Sequence, residues 1–106
     1  MLPESVLIAD RGLGARLVQR ALSACGVRAI QIHSVPERYA AFALDAERAI
    51  CVGPRSLDTS YLNAAAILDA ARVTKAEAVH CGSSALADSP DFAEAATKAG
   101  ARVLGP

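Results

Sequence analysis

Short apolar runs alternate along this chain with longer stretches of helical period. Five runs read as strands: Ser5 to Ala9, Arg28 to His33, Ala49 to Val52, Ala76 to His80 and Arg102 to Leu104. They carry β-branched residues and lie between turn signals, as parallel strands buried on both faces do. The first helix is expected from Gly12 or Leu13. Leu13, Leu17, Val18, Ala21 and Leu22 form its apolar stripe, Arg16, Gln19, Arg20 and Ser23 face away, and Gly26 stands where a C-terminal cap belongs. A shorter helix is expected between Pro36 and Leu44. The next takes Ser60 as its N-cap and runs from Tyr61 to about Val73. The last has Ser89 as cap, Pro90 at its first position, Asp91 in the first turn and Gly100 just past its end.

Strand alternating with helix requires crossovers, so the predicted fold is a single α/β domain over residues 1–106, Rossmann-like, with a parallel sheet flanked by helices. Hydrophobic residues make up 53% of the chain but aromatic ones only 4%, which predicts close helix–sheet packing with modest area per side chain. Eleven basic residues balance eleven acidic ones without any basic run, which argues against a nucleic-acid partner. No apolar run approaches the roughly 20 residues needed to span a membrane, and the N-terminus lacks a signal-peptide layout. Cys25, Cys51 and Cys81 fit no metal-ligand spacing and no disulfide framework, so a reducing, cytoplasmic setting is expected. Val103-Leu104-Gly105-Pro106 reads as a strand running into a turn, and an edge that stops there predicts that something once followed.

Three stretches carry candidate chemistry. Asp10-Arg11-Gly12-Leu13-Gly14 joins a strand to a helix, where free amides attract anions. Its two glycines begin a dinucleotide fingerprint, but Leu17 stands where the third small residue belongs. The second strand ends in His33-Ser34, with no acid for a ribose hydroxyl. Glycines that only permit the turn are the better reading. His80-Cys81-Gly82-Ser83-Ser84 offers a histidine, a thiol and hydroxyls. Adjacent strand residues point to opposite faces, however, so His80 and Cys81 do not pair, and a ligand-lining loop is favoured over catalysis. Asp58-Thr59-Ser60-Tyr61-Leu62-Asn63 enters a helix, for which capping is a sufficient explanation. No catalytic and no metal-ligating residue emerges.

Six segments in register carry a resemblance over essentially the whole chain: Leu7-Ile8-Ala9-Asp10-Arg11-Gly12, Cys51-Val52-Gly53-Pro54, Ser60-Tyr61-Leu62-Asn63, Ala78-Val79-His80, Asp91-Phe92-Ala93-Glu94 and Leu104-Gly105-Pro106. Together they resemble the N-terminal, pre-ATP-grasp domain of biotin carboxylase, which opens acyl-CoA and pyruvate carboxylases. The departures are specific. The family's asparagine is Asp10, a glutamate is Leu13, an arginine is Leu17, and an acid is Ala24, while the family's A-D-E reads Ala46-Glu47-Arg48. The family's H-P-G-Y-G-F-L-S-E-N reads His80-Cys81-Gly82-Ser83-Ser84-Ala85-Leu86-Ala87-Asp88-Ser89.

The resemblance implies the N-terminal domain, or a separate small subunit, of a biotin-dependent (acyl-CoA) carboxylase. The complete enzyme uses ATP, magnesium or manganese and bicarbonate to carboxylate biotin. This chain alone is expected to bind no cofactor and to catalyse nothing. Its partners would be the ATP-grasp and C-terminal portion or other carboxylase subunits. The loop of His80, Gly82, Ser83 and Ser84 would border the biotin pocket, and Arg20 would belong to an interface. The eroded loop supports an alternative: a degenerate, non-catalytic relative that docks to or regulates a carboxylase complex. An unrelated small-molecule-binding module is a further, weaker alternative.

Overall fold

In a computed structural model that describes residues 2–104, five strands form one parallel sheet. They are β1 (Ser5–Ile8), β2 (Arg28–Ser34), β3 (Arg48–Gly53), β4 (Ala78–His80) and β5 (Arg102–Leu104), in the order β3-β2-β1-β4-β5. Central β1 pairs Leu7 with Ile30 of β2 on one side and with Val79 of β4 on the other. Val6, Leu7 and Ile8 are wholly buried, which accounts for their uninterrupted apolar run. The closing Gly105-Pro106 turn lies outside the described residues.

The connections are α1 (Gly12–Ala24), α2 (Ala41–Leu44), α3 (Ala64–Thr74) and α4 (Pro90–Lys98), with short 3-10 turns at Val35–Glu37, Leu57–Thr59 and Ala85–Asp88. α1 packs with α2, and α3 with α4. Because the strand order runs outward from β1 in both directions, right-handed crossovers place these two pairs on opposite faces. The chain changes direction between β1 and β4, so a crevice opens at the carboxyl ends of these two strands.

The expected apolar stripe of α1 needs correction. Leu13 and Leu17 point outward at 72% and 55% exposure, and Ala21 is exposed as well. The helix meets the sheet through Ala15, Val18 and Leu22. Gln19, expected to face away, turns inward. Its Nε2 donates to Gln31 Oε1 at 2.9 Å and to the Phe42 carbonyl at 2.7 Å. Gln31 is itself fully buried in β2, and Gln19 supplies its acceptor with a donor, as a buried amide requires.

The helix after Ser60 also begins later than expected. Ser60 is buried and donates its hydroxyl to the Ser56 carbonyl at 2.7 Å, so it serves the preceding turn. Asn63 is the N-cap of α3, its Oδ1 accepting the Ala66 N–H at 3.1 Å. Lys75 closes that helix in the left-handed region at φ 59°, and β4 starts at Ala78, two residues later than expected. β1 ends at Ile8, yet the Ala9 N–H still bonds to the His80 carbonyl at 2.9 Å. At α4 the expected punctuation is present: Ser89 Oγ accepts the Phe92 N–H at 3.1 Å, and Pro90 opens the helix.

Candidate functional site

The turn after β1 is held from below. Gln31 Nε2 donates to the Asp10 carbonyl at 2.7 Å and to the Ile32 carbonyl at 2.8 Å. The Asp10 side chain, 7% exposed, reaches across to the loop after β4. Its Oδ2 accepts the Ser83 N–H at 3.1 Å and the Ser83 hydroxyl at 3.3 Å. Gly82 lies against this carboxylate with φ +57°, and a Cβ there would come within 2.2 Å of Oδ2. Only glycine fits so close an approach in that backbone region.

Arg11 points the other way. Its guanidinium bonds Glu37 at 2.8 Å and lies 5.3 Å from the centroid of the Tyr61 ring. The Tyr61 hydroxyl accepts the Ser34 N–H at 2.9 Å, so the ends of β1 and β2 and the entry to α3 are joined by one polar network. Burial alone would raise the Glu37 carboxyl. Hydrogen bonds from Arg11, Tyr61 and Ser34, with the Arg11 charge, outweigh it and hold the group below its ordinary value. Burial pushes the Tyr61 phenol up, and the bond to Glu37 raises the Arg11 guanidinium.

These groups surround one cavity of about 360 Å3, whose walls include Asp10, Arg11, Leu57, Tyr61, Ser83 and Ser84. The three stretches singled out along the chain therefore meet at the carboxyl edge of the sheet. Of the four expected loop residues, Ser83 and Ser84 line the cavity. His80 and Gly82 support the loop from behind: His80 Nδ1 accepts the Gly82 N–H at 3.0 Å. Ser84 Oγ in turn accepts the Leu86 N–H at 3.2 Å and caps the following 3-10 turn. Arg20 is not brought here. It is exposed on α1 beside the Arg16–Asp45 pair, and among the described residues no carboxylate pairs with it.

A nucleophile at Cys81 is not supported by its surroundings. The thiol is buried, and burial together with the nearby Asp10 charge pushes it up to about 11, so it stays protonated at neutral pH. Glu37 and Leu57 were not singled out from sequence. Glu37 lies in a segment without a clear pattern, and Leu57 is 45% exposed at a bend that only the fold brings to the cavity. Among the described residues no three His, Cys, Asp or Glu side chains gather as a metal would need, and no helix is long and apolar enough to cross a membrane.

Comparison with known proteins places this architecture. Biotin carboxylase of Haemophilus influenzae is 40% identical over 103 residues, 97% of this chain and 23% of the relative. The mitochondrial propionyl-CoA carboxylase alpha chain of Sus scrofa is 35% identical over 97% of this chain and 14% of its own length. Among solved structures, the biotin carboxylase domain dimer of the Hydrogenobacter thermophilus 2-oxoglutarate carboxylase, in complex with MgADP, ADP and bicarbonate, superposes with a TM-score of 0.92 at 36% identity. It covers 100% of this chain and 23% of that one. Biotin carboxylase from Campylobacter jejuni gives 0.93 at 32% identity, over 99% and 24%. This chain thus spans about a quarter or less of such proteins. Residues 3–106 match the family described as biotin carboxylase, N-terminal domain, and to that family the chain belongs.

Proposed function

We propose that this domain forms the N-terminal wall of a biotin carboxylase. The assembled enzyme would use ATP and bicarbonate to carboxylate biotin as the first half-reaction of a biotin-dependent carboxylase, acting in the cytoplasm. The observation that carries the reading is the convergence, on one cavity at the carboxyl edge of the sheet, of two family-matching segments, through Ala9 and Arg11 and through Tyr61 and Leu62, with the loop that follows a third, Ala78-Val79-His80. Nucleotide and metal do not fit the groups present in this chain. The turn after β1 already holds the Asp10 carboxylate, bonded to the Ser83 N–H, and no cluster of metal-ligating side chains exists among the described residues. MgATP and bicarbonate are therefore assigned to an ATP-grasp and C-terminal portion that packs against this domain.

What this chain contributes to biotin is positional. Ser83 and Ser84 present small side chains at the cavity mouth, with Tyr61 and Leu57 as its apolar wall. His80 and Gly82 set the loop from behind, and Arg20, exposed on α1, is assigned to an inter-subunit contact. The chain by itself is expected to show neither ATP hydrolysis nor biotin carboxylation.

A chimera tests this. Residues 1–106 would replace the matching segment of the Haemophilus influenzae biotin carboxylase, and biotin-dependent ATP hydrolysis would be measured. Turnover within a few-fold of the parent supports the proposal. A folded chimera that binds its partner subunits but shows no biotin-dependent turnover favours the docking-subunit reading. That alternative draws on Ser83, whose hydroxyl is engaged by Asp10 instead of facing a ligand.

A further inference from the structure

Among the described residues the carboxylate of Asp10 forms no ion pair of its own, although the adjacent Arg11 charge acts on it. The neighbouring guanidinium of Arg11 is committed to Glu37 and lies on Tyr61. Asp10 instead faces polar hydrogens: its Oδ2 accepts both the Ser83 amide and the Ser83 hydroxyl, and it lies 3.3 Å from where a Cβ of Gly14 would stand, in the first turn of α1. That helix has no acidic residue in its first turn and no side-chain cap. Asp10 is thus the acidic side chain that lies against the first turn of α1, where the helix N-terminal field favours negative charge.

We propose that Asp10 is an internal anion, occupying the corner that an anionic ligand would take in a fold of this topology and fastening the β4 loop onto the α1 turn. It is a positioning residue for the cavity wall formed by Ser83 and Ser84. It places a negative charge in the wall of a cavity that the Arg11 guanidinium also lines. The inference concerns the chain by itself and does not depend on the carboxylase assembly described above.

The test is amide hydrogen exchange at Gly82, Ser83 and Ser84 in the 106-residue chain, with formate as a small carboxylate probe. In Asp10→Ala the Ser83 amide should exchange at least about tenfold faster than in the parent, since it loses a bond to a charged acceptor. Formate, admitted through the adjoining cavity, should restore protection, whereas chloride at equal ionic strength should not. A packing defect would not distinguish the two anions. Unchanged exchange in Asp10→Ala overturns the proposal, as does an equal response to formate and chloride. Should Asp10→Ala not fold, Asp10→Asn keeps the shape without the charge. Accelerated Ser83 exchange in that variant supports the proposal, and exchange equal to the parent overturns it.

Discussion

Replacing Gly82 by alanine is the sharpest probe of how the β4 loop is built. The residue is at φ +57°, where an L side chain costs about 1–2 kcal/mol. The new methyl would also stand 2.2 Å from Asp10 Oδ2 and 2.9 Å from its Cγ, well inside contact distance. The carboxylate must then swing away from Ser83 and give up an amide and a hydroxyl bond, at about 1.5–3 kcal/mol for a bond to a charged group, less whatever water returns. A total of about 3–5 kcal/mol is expected, a large share of the ~5–15 kcal/mol that holds a domain of this size. Urea unfolding should show the midpoint falling with the slope unchanged, and the melting temperature should drop by at least about 12 °C. The same change made in an Asp10→Ala background should cost little beyond the backbone share, about 1–2 kcal/mol, because Oδ2 and Cγ are gone and only the residue 10 Cβ remains, at 3.1 Å. A cost below about 1 kcal/mol in the parent, or one undiminished without Asp10, would refute the reasoning.

Three further outcomes are expected. Gln31→Leu removes the side-chain donor from the Asp10 and Ile32 carbonyls and one acceptor from the Gln19 amide, which keeps its bond to the Phe42 carbonyl, so guanidinium unfolding should register a loss of about 2–4 kcal/mol; a loss under 1 kcal/mol would mean that water replaces these bonds. The Glu37 carboxyl is held below its unfolded value of about 4.3. Its contribution is therefore present above that pH and is lost as pH falls through the lower, folded value. Glu37→Gln should flatten the stability profile below about pH 4.3, and an unaltered acid limb would contradict the Arg11–Glu37 network. With iodoacetamide at pH 7.5, exposed Cys25 and Cys51 should label quickly, while Cys81, buried and pushed up to about 11, should label at the rate of unfolding; rapid native labelling of Cys81 would contradict its placement.

The parallel sheet was legible because its central strands are apolar on both faces, and Val6, Leu7 and Ile8 leave no other arrangement for their burial. The α4 boundaries were legible because capping is a local event: Ser89, Pro90 and Gly100 act within a turn of themselves. The buried arc of α1 is not legible in the sequence, because residue type does not say which arc of a helix meets the sheet. Leu17 is as apolar as Leu22 but faces outward. Gln19 is polar yet turns inward, because a buried glutamine awaits it in β2. That pairing spans two elements, and no periodicity contains it. The shift of the helix start from Ser60 to Asn63 has the same origin. Both are good caps, and the choice fell to Asn63 only because Ser60 is drawn into the turn below it.

The site shows the limit more clearly. Each of its three loops, taken singly, had an ordinary explanation as a glycine turn, a small-residue loop or a helix entry. Each of those explanations remains correct at its own level: Gly12, at φ 69°, does permit a turn, and Ser84 and Asn63 do cap. What no single loop contains is their meeting. This follows from the strand order, which reverses beside β1 and carries the ends of β1 and β4 to the same crevice. Once they meet, a surface aspartate becomes a buried acceptor for a serine 73 positions away in the chain. Local residue chemistry therefore identified the parts, and topology decided which of them act on one another.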